Sequence, residues 1–210
     1  MTARRSASIS SRKQPRQARS NELVATILEA AVQVLAKEGV QRFTTARVAE
    51  KAGVSVGSIY QYFPNKAAIL FRLQSDEWRQ TTELLRGILE DTRKPPHARL
   101  RILVHAFVRS ECEEAAVRGA LDDAAPLYRD APEAREAKAS GDRSFRLFVQ
   151  EALPNVSDAT RALAGDLIKT TLSAVGKEVS ERSRTPAEVA AYADAMADMF
   201  SAYVARLAPS

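Results

Sequence analysis

Beyond Ser20, apolar residues recur at three- and four-residue spacing through nearly the whole chain, and no segment alternates as a strand does. This regularity restricts the chain to helices packed on helices, because each amphipathic helix carries a stripe that needs a partner. The pattern predicts about nine helices and no sheet, an all-α fold. The first helix is expected from Asn21 to Lys37, with Val24, Ile27, Leu28, Ala31, Val34 and Leu35 on one face. Ser20 serves as its N-cap and Gly39 as its terminator. A short helix starts at Thr44 or Thr45 and carries Val48, Ala49 and Ala52. After Gly53, Ser55 caps a very short helix that runs to Tyr62 and is ended by Pro64. Asn65 caps a long helix through Leu89, and Thr92–Pro96 reads as a linker. Further helices are expected near 97–112, from Pro132 to Leu153, and near 157–183, with a less regular stretch up to Arg129. The last begins at a capping box, Thr185-Pro186-Ala187-Glu188, and continues to Leu207.

The 210 residues are 45% hydrophobic and 27% charged, which supplies a packed core and argues against disorder. A net charge of +5 conceals a division. Residues 1–72 hold 12 Lys/Arg against 4 Asp/Glu, and residues 73–210 hold the remaining 19 against 22. A basic front and a mildly acidic rear suggest that one part meets a polyanion. Arg4, Arg5, Arg12, Lys13, Arg16 and Arg19 all precede Asn21, and residues 1–20 contain no acid. This stretch reads as a basic flexible arm, although an organelle transit peptide or a plain solvated tail has the same composition. No apolar run approaches the roughly 20 residues needed to span a bilayer. A single cysteine, Cys112, excludes an intrachain disulfide and a four-thiolate metal site, and fits a cytoplasmic protein.

Residues 44–66 are the most specific stretch: two short predicted helices joined by a Gly-containing corner, the plan of a helix-turn-helix. Gly53 suits the positive φ of that corner, and Val54 is placed to pin it to the core. In the second helix Ile59 and Phe63 share an inward face, and Val56, Ser58, Tyr60, Gln61 and Tyr62 are expected to face outward, with half-buried packing the alternative for Tyr60 and Tyr62. Hydroxyl and amide groups on a short exposed helix suit phosphates and base edges in a major groove. Gly57 permits close approach of its backbone to DNA, and Thr44, Thr45 and Lys66 open helices whose N-termini attract phosphate.

The run Ala-Gly-Val-Ser-Val-Gly-Ser-Ile-Tyr-Gln-Tyr-Phe-Pro-Asn-Lys, residues 52–66, resembles the signature of the TetR (tetracycline-repressor-like) family of bacterial transcriptional regulators. The likeness covers residues 21–70 closely; the rest of the chain matches in length and helix number only. It implies a dimeric repressor with a three-helix DNA-binding domain over residues 21–68 and an effector-binding, dimerising domain over 69–210. It also implies phosphate contacts from Thr45, Ser55, Tyr60, Tyr62 and Lys66, with Val56, Gly57, Ser58 and Gln61 nearest the bases. Val56 departs from the polar residue often found there, which points to an apolar contact such as a thymine methyl.

The last two predicted helices are apolar over a wide arc. Val189, Ala193, Met196, Phe200, Tyr203 and Leu207 follow one stripe that Tyr192, Met199 and Val204 broaden. Ile168, Leu172, Val175 and Val179 make one face of the preceding helix, and Leu163, Leu167 and Ala174 another. Two such faces are served by a four-helix interface with a second copy, so a homodimer through this pair is expected. For an effector, Trp78, Val104, Phe107, Glu111, Tyr128, Phe145 and Phe148 are candidates to line a largely apolar cavity with one carboxylate; core packing explains the aromatics equally well. His97 and His105 lack metal-spaced partners, and Glu111, Glu113 and Glu114 beside Cys112 disfavour a reactive thiolate. No phosphate loop, nucleophile elbow or His-Glu-x-x-His occurs, so no catalytic residue, metal or cofactor is expected. Two readings remain: a ligand-responsive regulator of operator DNA, and a helical small-molecule binder or enzyme whose basic front meets another polyanion.

Overall fold

The computed structural model describes Ile9, residues 18–134 and residues 142–208. Among them are nine α-helices, one short 3₁₀ turn at Ala125–Leu127, and no strand. The helices are α1 (Ala18–Arg42), α2 (Thr45–Ala52), α3 (Val56–Tyr62), α4 (Lys66–Leu89), α5 (Pro96–Glu113), α6 (Ala115–Ala124), α7 (Asp142–Ala152), α8 (Asp158–Ser180) and α9 (Pro186–Leu207).

Local signals set most of these limits. Ser157 accepts the Thr160 N–H at the start of α8, and Thr185 and Glu188 complete the capping box of α9. The hydrogen bonds from Thr185 hold the Glu188 carboxyl below its ordinary pKa. Asn65 Oδ1 accepts the Ala68 N–H at 2.9 Å and caps α4. Two expectations at α1 are corrected. The helix begins at Ala18, so Ser20 lies within it rather than at its cap. Gly39, with φ 70° and ψ 174°, does break the regular helix, but a further turn continues to Arg42. The helix expected from Pro132 is described only as residues 132–134 and α7, the stretch between lying outside the described residues.

The chain forms two compact units. The first comprises residues 1–78 and 116–139. Its core joins Ile27, Leu35 and Phe43 of the first helical region with Ile59, Phe63, Ile69 and Leu70, and adds Leu121 and Tyr128 from the later segment. Ile9 is also buried there, at 3% exposure; the rest of the basic arm before Ala18 lies outside the described residues. Tyr128 hydrogen-bonds Gln74 Oε1 at 3.1 Å and the Leu121 carbonyl at 3.0 Å, and burial pushes its pKa above the ordinary range. Arg118 pairs with Glu77 at 2.9 Å.

The second unit comprises residues 79–115 and 140–210. Leu100, Leu103, Val104 and Val108 of α5 pack with Phe148, Ile168, Leu172, Met196, Ala197 and Phe200 of α7, α8 and α9. A buried cation lies in this core. Arg99, 1% exposed, donates to the Leu89 carbonyl at the end of α4, pairs with Glu151 of α7, and lies 5.5 Å from the Phe148 ring centroid. Such a group is tolerated because its charge is paired and both terminal nitrogens donate, although its Nε is buried without a hydrogen-bond partner. The i,i+4 spacing from Arg99 to Leu103 was the one sign in the sequence that it faces inward.

Candidate nucleic-acid interface

The reading head is built from the caps of α2 and α3. Thr44, in extended backbone, accepts the Arg47 N–H at 3.2 Å and starts α2. Gly53 ends it at φ 68° and ψ 30°, a left-handed conformation that costs a residue with a Cβ about 1–2 kcal/mol. The Gly53 and Val54 N–H groups donate to the Glu50 and Ala49 carbonyls at 3.2 and 3.0 Å, closing the corner. Ser55 then caps α3 by accepting the Ser58 N–H at 3.0 Å, and the two serine hydroxyls lie 2.8 Å apart. Beneath, Ile59 and Phe63 are fully buried and fix the rotation of α3 about its axis.

That rotation decides what faces out. Val56 is 38% exposed and Tyr60 41%, and Gly57 and Gln61 are exposed with them. Ser58 is half-buried. A Cβ on Gly57 would have only Ser55 Oγ nearby, at 3.6 Å, so its open side is outward. Thr45 Oγ1 and the Tyr60 hydroxyl lie 3.4 Å apart, which joins the start of α2 to the outer face of α3. Thr44 and Ser55 are exposed, and Thr45 and Lys66 half-buried, at the starts of α2, α3 and α4.

Tyr62 corrects the expectation. It is buried, 6% exposed, within the first core. On a helix the residues three and four positions after Ile59 both share its face, so Tyr62 accompanies Phe63 inward. Its aromatic ring serves packing, and the outward set is reduced to Val56, Gly57, Tyr60 and Gln61 with Ser58 at the edge. Arg47, not singled out in the sequence, is an exposed cation of α2 paired with Glu38.

The candidate effector residues divide between the units. Trp78 and Tyr128 belong to the first; Val104, Phe107, Glu111, Phe145 and Phe148 belong to the second. Val104 and Phe148 are buried in the core. Phe107 and Glu111 press on Gly176 of α8, where an added Cβ would lie 2.8 Å from Phe107 and 3.3 Å from Glu111. The Phe145 and Phe148 rings are 6.2 Å apart and tilted. Cys112 is half-buried, and burial, followed by the Glu111 charge, raises its thiol pKa. His97 is exposed, and His105 Nε2 lies 3.1 Å from Asp194, a carboxylate that Arg101 also holds at 3.0 Å. Among the described residues no cluster of His, Cys, Asp and Glu is arranged for a metal ion. None of their helices is long and apolar enough to cross a membrane.

Two family descriptions match this chain. Residues 27–73 match the family described as bacterial regulatory proteins, tetR family, and residues 95–207 match the tetracyclin repressor-like C-terminal domain. The fatty acid metabolism regulator protein of Bacillus subtilis is 40% identical over 57 residues, 27% of this chain and 29% of that protein. The repressor KstR of Rhodococcus jostii is 28% identical over 124 residues, 59% of this chain and 57% of that one. The chain thus spans well under two thirds of these curated relatives. Over most of the chain the fold is similar to that of the regulator FadR of Bacillus subtilis, solved with stearoyl-CoA. There the TM-score is 0.64 at 18% identity, covering 85% of this chain and 97% of the other.

Proposed function

Since the chain belongs to the tetR family of bacterial regulatory proteins, we propose that it is a dimeric, ligand-responsive transcriptional repressor that reads a palindromic operator with α3. The observation that carries this reading is the outer face of α3. Val56, Gly57, Tyr60 and Gln61 are presented to solvent, while Ile59, Tyr62 and Phe63 anchor the helix from behind. Gln61 offers an amide to base edges and Val56 an apolar contact, whereas Tyr60, Thr45, Ser55 and Lys66 surround them as phosphate partners.

Dimerisation follows from surface that the second unit does not cover. Leu163 (65% exposed) and Leu167 (46%) are four apart on α8, and Tyr192 (43%) and Met199 (50%) are seven apart on α9. Ala193, Met196, Ala197 and Phe200 of α9 are buried in the protomer's own core, so each helix carries two apolar faces. A two-fold copy packed on the outer faces buries both and presents two copies of α3 to successive major grooves. The protein would work in the cytoplasm, where its DNA is, and no reaction is assigned to it.

An effector in the C-terminal part releases DNA only by preferring the non-binding arrangement of the dimer. Relatives named for fatty acid metabolism, and one solved with stearoyl-CoA, support an effector with a large apolar portion.

The test is a titration of DNA flanking the gene with the purified dimer. Binding that survives excess random DNA and weakens steeply with salt is expected. Equal affinity for random DNA would refute the proposal.

A further inference from the structure

A groove of about 440 Å³ lies between α7 and α8 on the second unit, within the size range of small-molecule sites. Of the residues expected to meet an effector it contains only Phe145. Its apolar lining comes from Phe145, Leu147 and Val149 of α7, and Leu147 is 54% exposed. Four cations and two carboxylates rim it, in a half of the chain where acids outnumber bases. Of these, Arg161 is committed to Asp158 and to the carbonyls of Leu153 and Pro154 at 3.0 and 3.1 Å. Arg143 and Arg146 are exposed on the α7 side.

The α8 wall carries a second sign. Gly165 sits well inside α8, where a glycine weakens a helix relative to alanine. At Gly176 of the same helix, packing demands the missing side chain, since a Cβ would stand 2.8 Å from Phe107. At Gly165 it does not: a Cβ would make ordinary contacts, 3.5 Å to Val149 and 3.6 Å to Phe145. What the absent side chain does leave is room in the wall of a groove that Arg143 and Arg146 also line.

We propose that this groove binds a small amphipathic anion, its apolar body on Phe145, Val149 and the Gly165 backbone and its carboxylate or phosphate on Arg143 and Arg146. Guanidinium is suited to either head group, because its planar fork pairs both oxygens at once. Binding here does not depend on the DNA reading, so its failure and that of the operator proposal are separable.

Calorimetric titration of the full chain, without DNA, decides it. The probes are dodecanoate, dodecyl phosphate and dodecanol, each below its aggregation concentration. Both anions are expected to bind at least about tenfold more tightly than dodecanol, the order of one charge-assisted hydrogen bond. The tighter of the two names the head group. Arg143→Gln with Arg146→Gln should erase the preference for the anions while leaving dodecanol unaffected. Gly165→Leu should fill that room and abolish binding of both anions with the thermal midpoint retained. Should that variant fold poorly, the arginine pair decides alone. No binding of either anion, dodecanol binding as tightly, or anion affinity unchanged in the arginine variant overturns the proposal.

Discussion

Gly165 and Gly176 lie three turns apart on α8, and replacing each with alanine separates packing from helix propensity. Both replacements gain the same intrinsic term, roughly 1 kcal/mol for Gly to Ala in a helix interior. Their surroundings differ. The new methyl at 165 meets Val149 and Phe145 at 3.5 and 3.6 Å, which is ordinary van der Waals contact. At 176 it meets Phe107 Cε1 at 2.8 Å and Glu111 Cγ at 3.3 Å, so α5 and α8 must separate or the Phe107 ring must turn. Overpacking of this kind costs about 1–3 kcal/mol. Gly165→Ala is therefore expected to stabilise by up to about 1 kcal/mol. Gly176→Ala should fall about 1–3 kcal/mol below it, the propensity term cancelling in the comparison. For a chain of this length that is a gap of roughly 2–12 °C in thermal midpoint. The assay is thermal and urea unfolding at one fixed protomer concentration, since dimerisation shifts both. Equal shifts in the two variants would refute the assigned packing of α5 on α8.

Three further outcomes concern the reading head and the basic arm before it. Gln61→Ala should change preference among operator variants, whereas Lys66→Ala should weaken all of them alike; competition binding on a set of half-site variants separates the two. Tyr62→Ala should cost about 3–5 kcal/mol of stability, as removal of a buried aromatic does, while Tyr62→Phe should leave both fold and DNA affinity near the parent. A large loss of affinity in Tyr62→Phe, with folding intact, would return its hydroxyl to the phosphate contacts. Changing Arg4, Arg5, Arg12, Lys13 and Arg16 together to glutamine should flatten the salt dependence of binding without altering operator preference, read from affinities between 50 and 200 mM salt.

What could be read from residue order was what short-range chemistry determines. Thr44, Gly53, Ser55, Asn65 and the Thr185–Glu188 box each act within four residues, and each does in the structure what its type and spacing imply. Tyr62 was misread because tyrosine suits both a core and a phosphate contact, and only the registry with Ile59 separates them. The buried side of α9 and its exposed side could not be told apart in a stripe that wraps so far round the helix; Ala193 and Met196 face the core while Tyr192 and Met199 face out. Least legible were the long-range partners. Nothing local says that residues 116–139 join the N-terminal unit, that Ile9 enters its core, or that Arg99 meets Glu151 fifty-two positions later.

The central claim is that two copies of α3 read one palindrome. Footprinting of the DNA upstream of the gene, with excess random DNA present, tests it most directly. The expected result is one protected segment containing two inverted half-sites about one helical turn, roughly 34 Å, apart. Protection of a single half-site, or none above the random competitor, would contradict it.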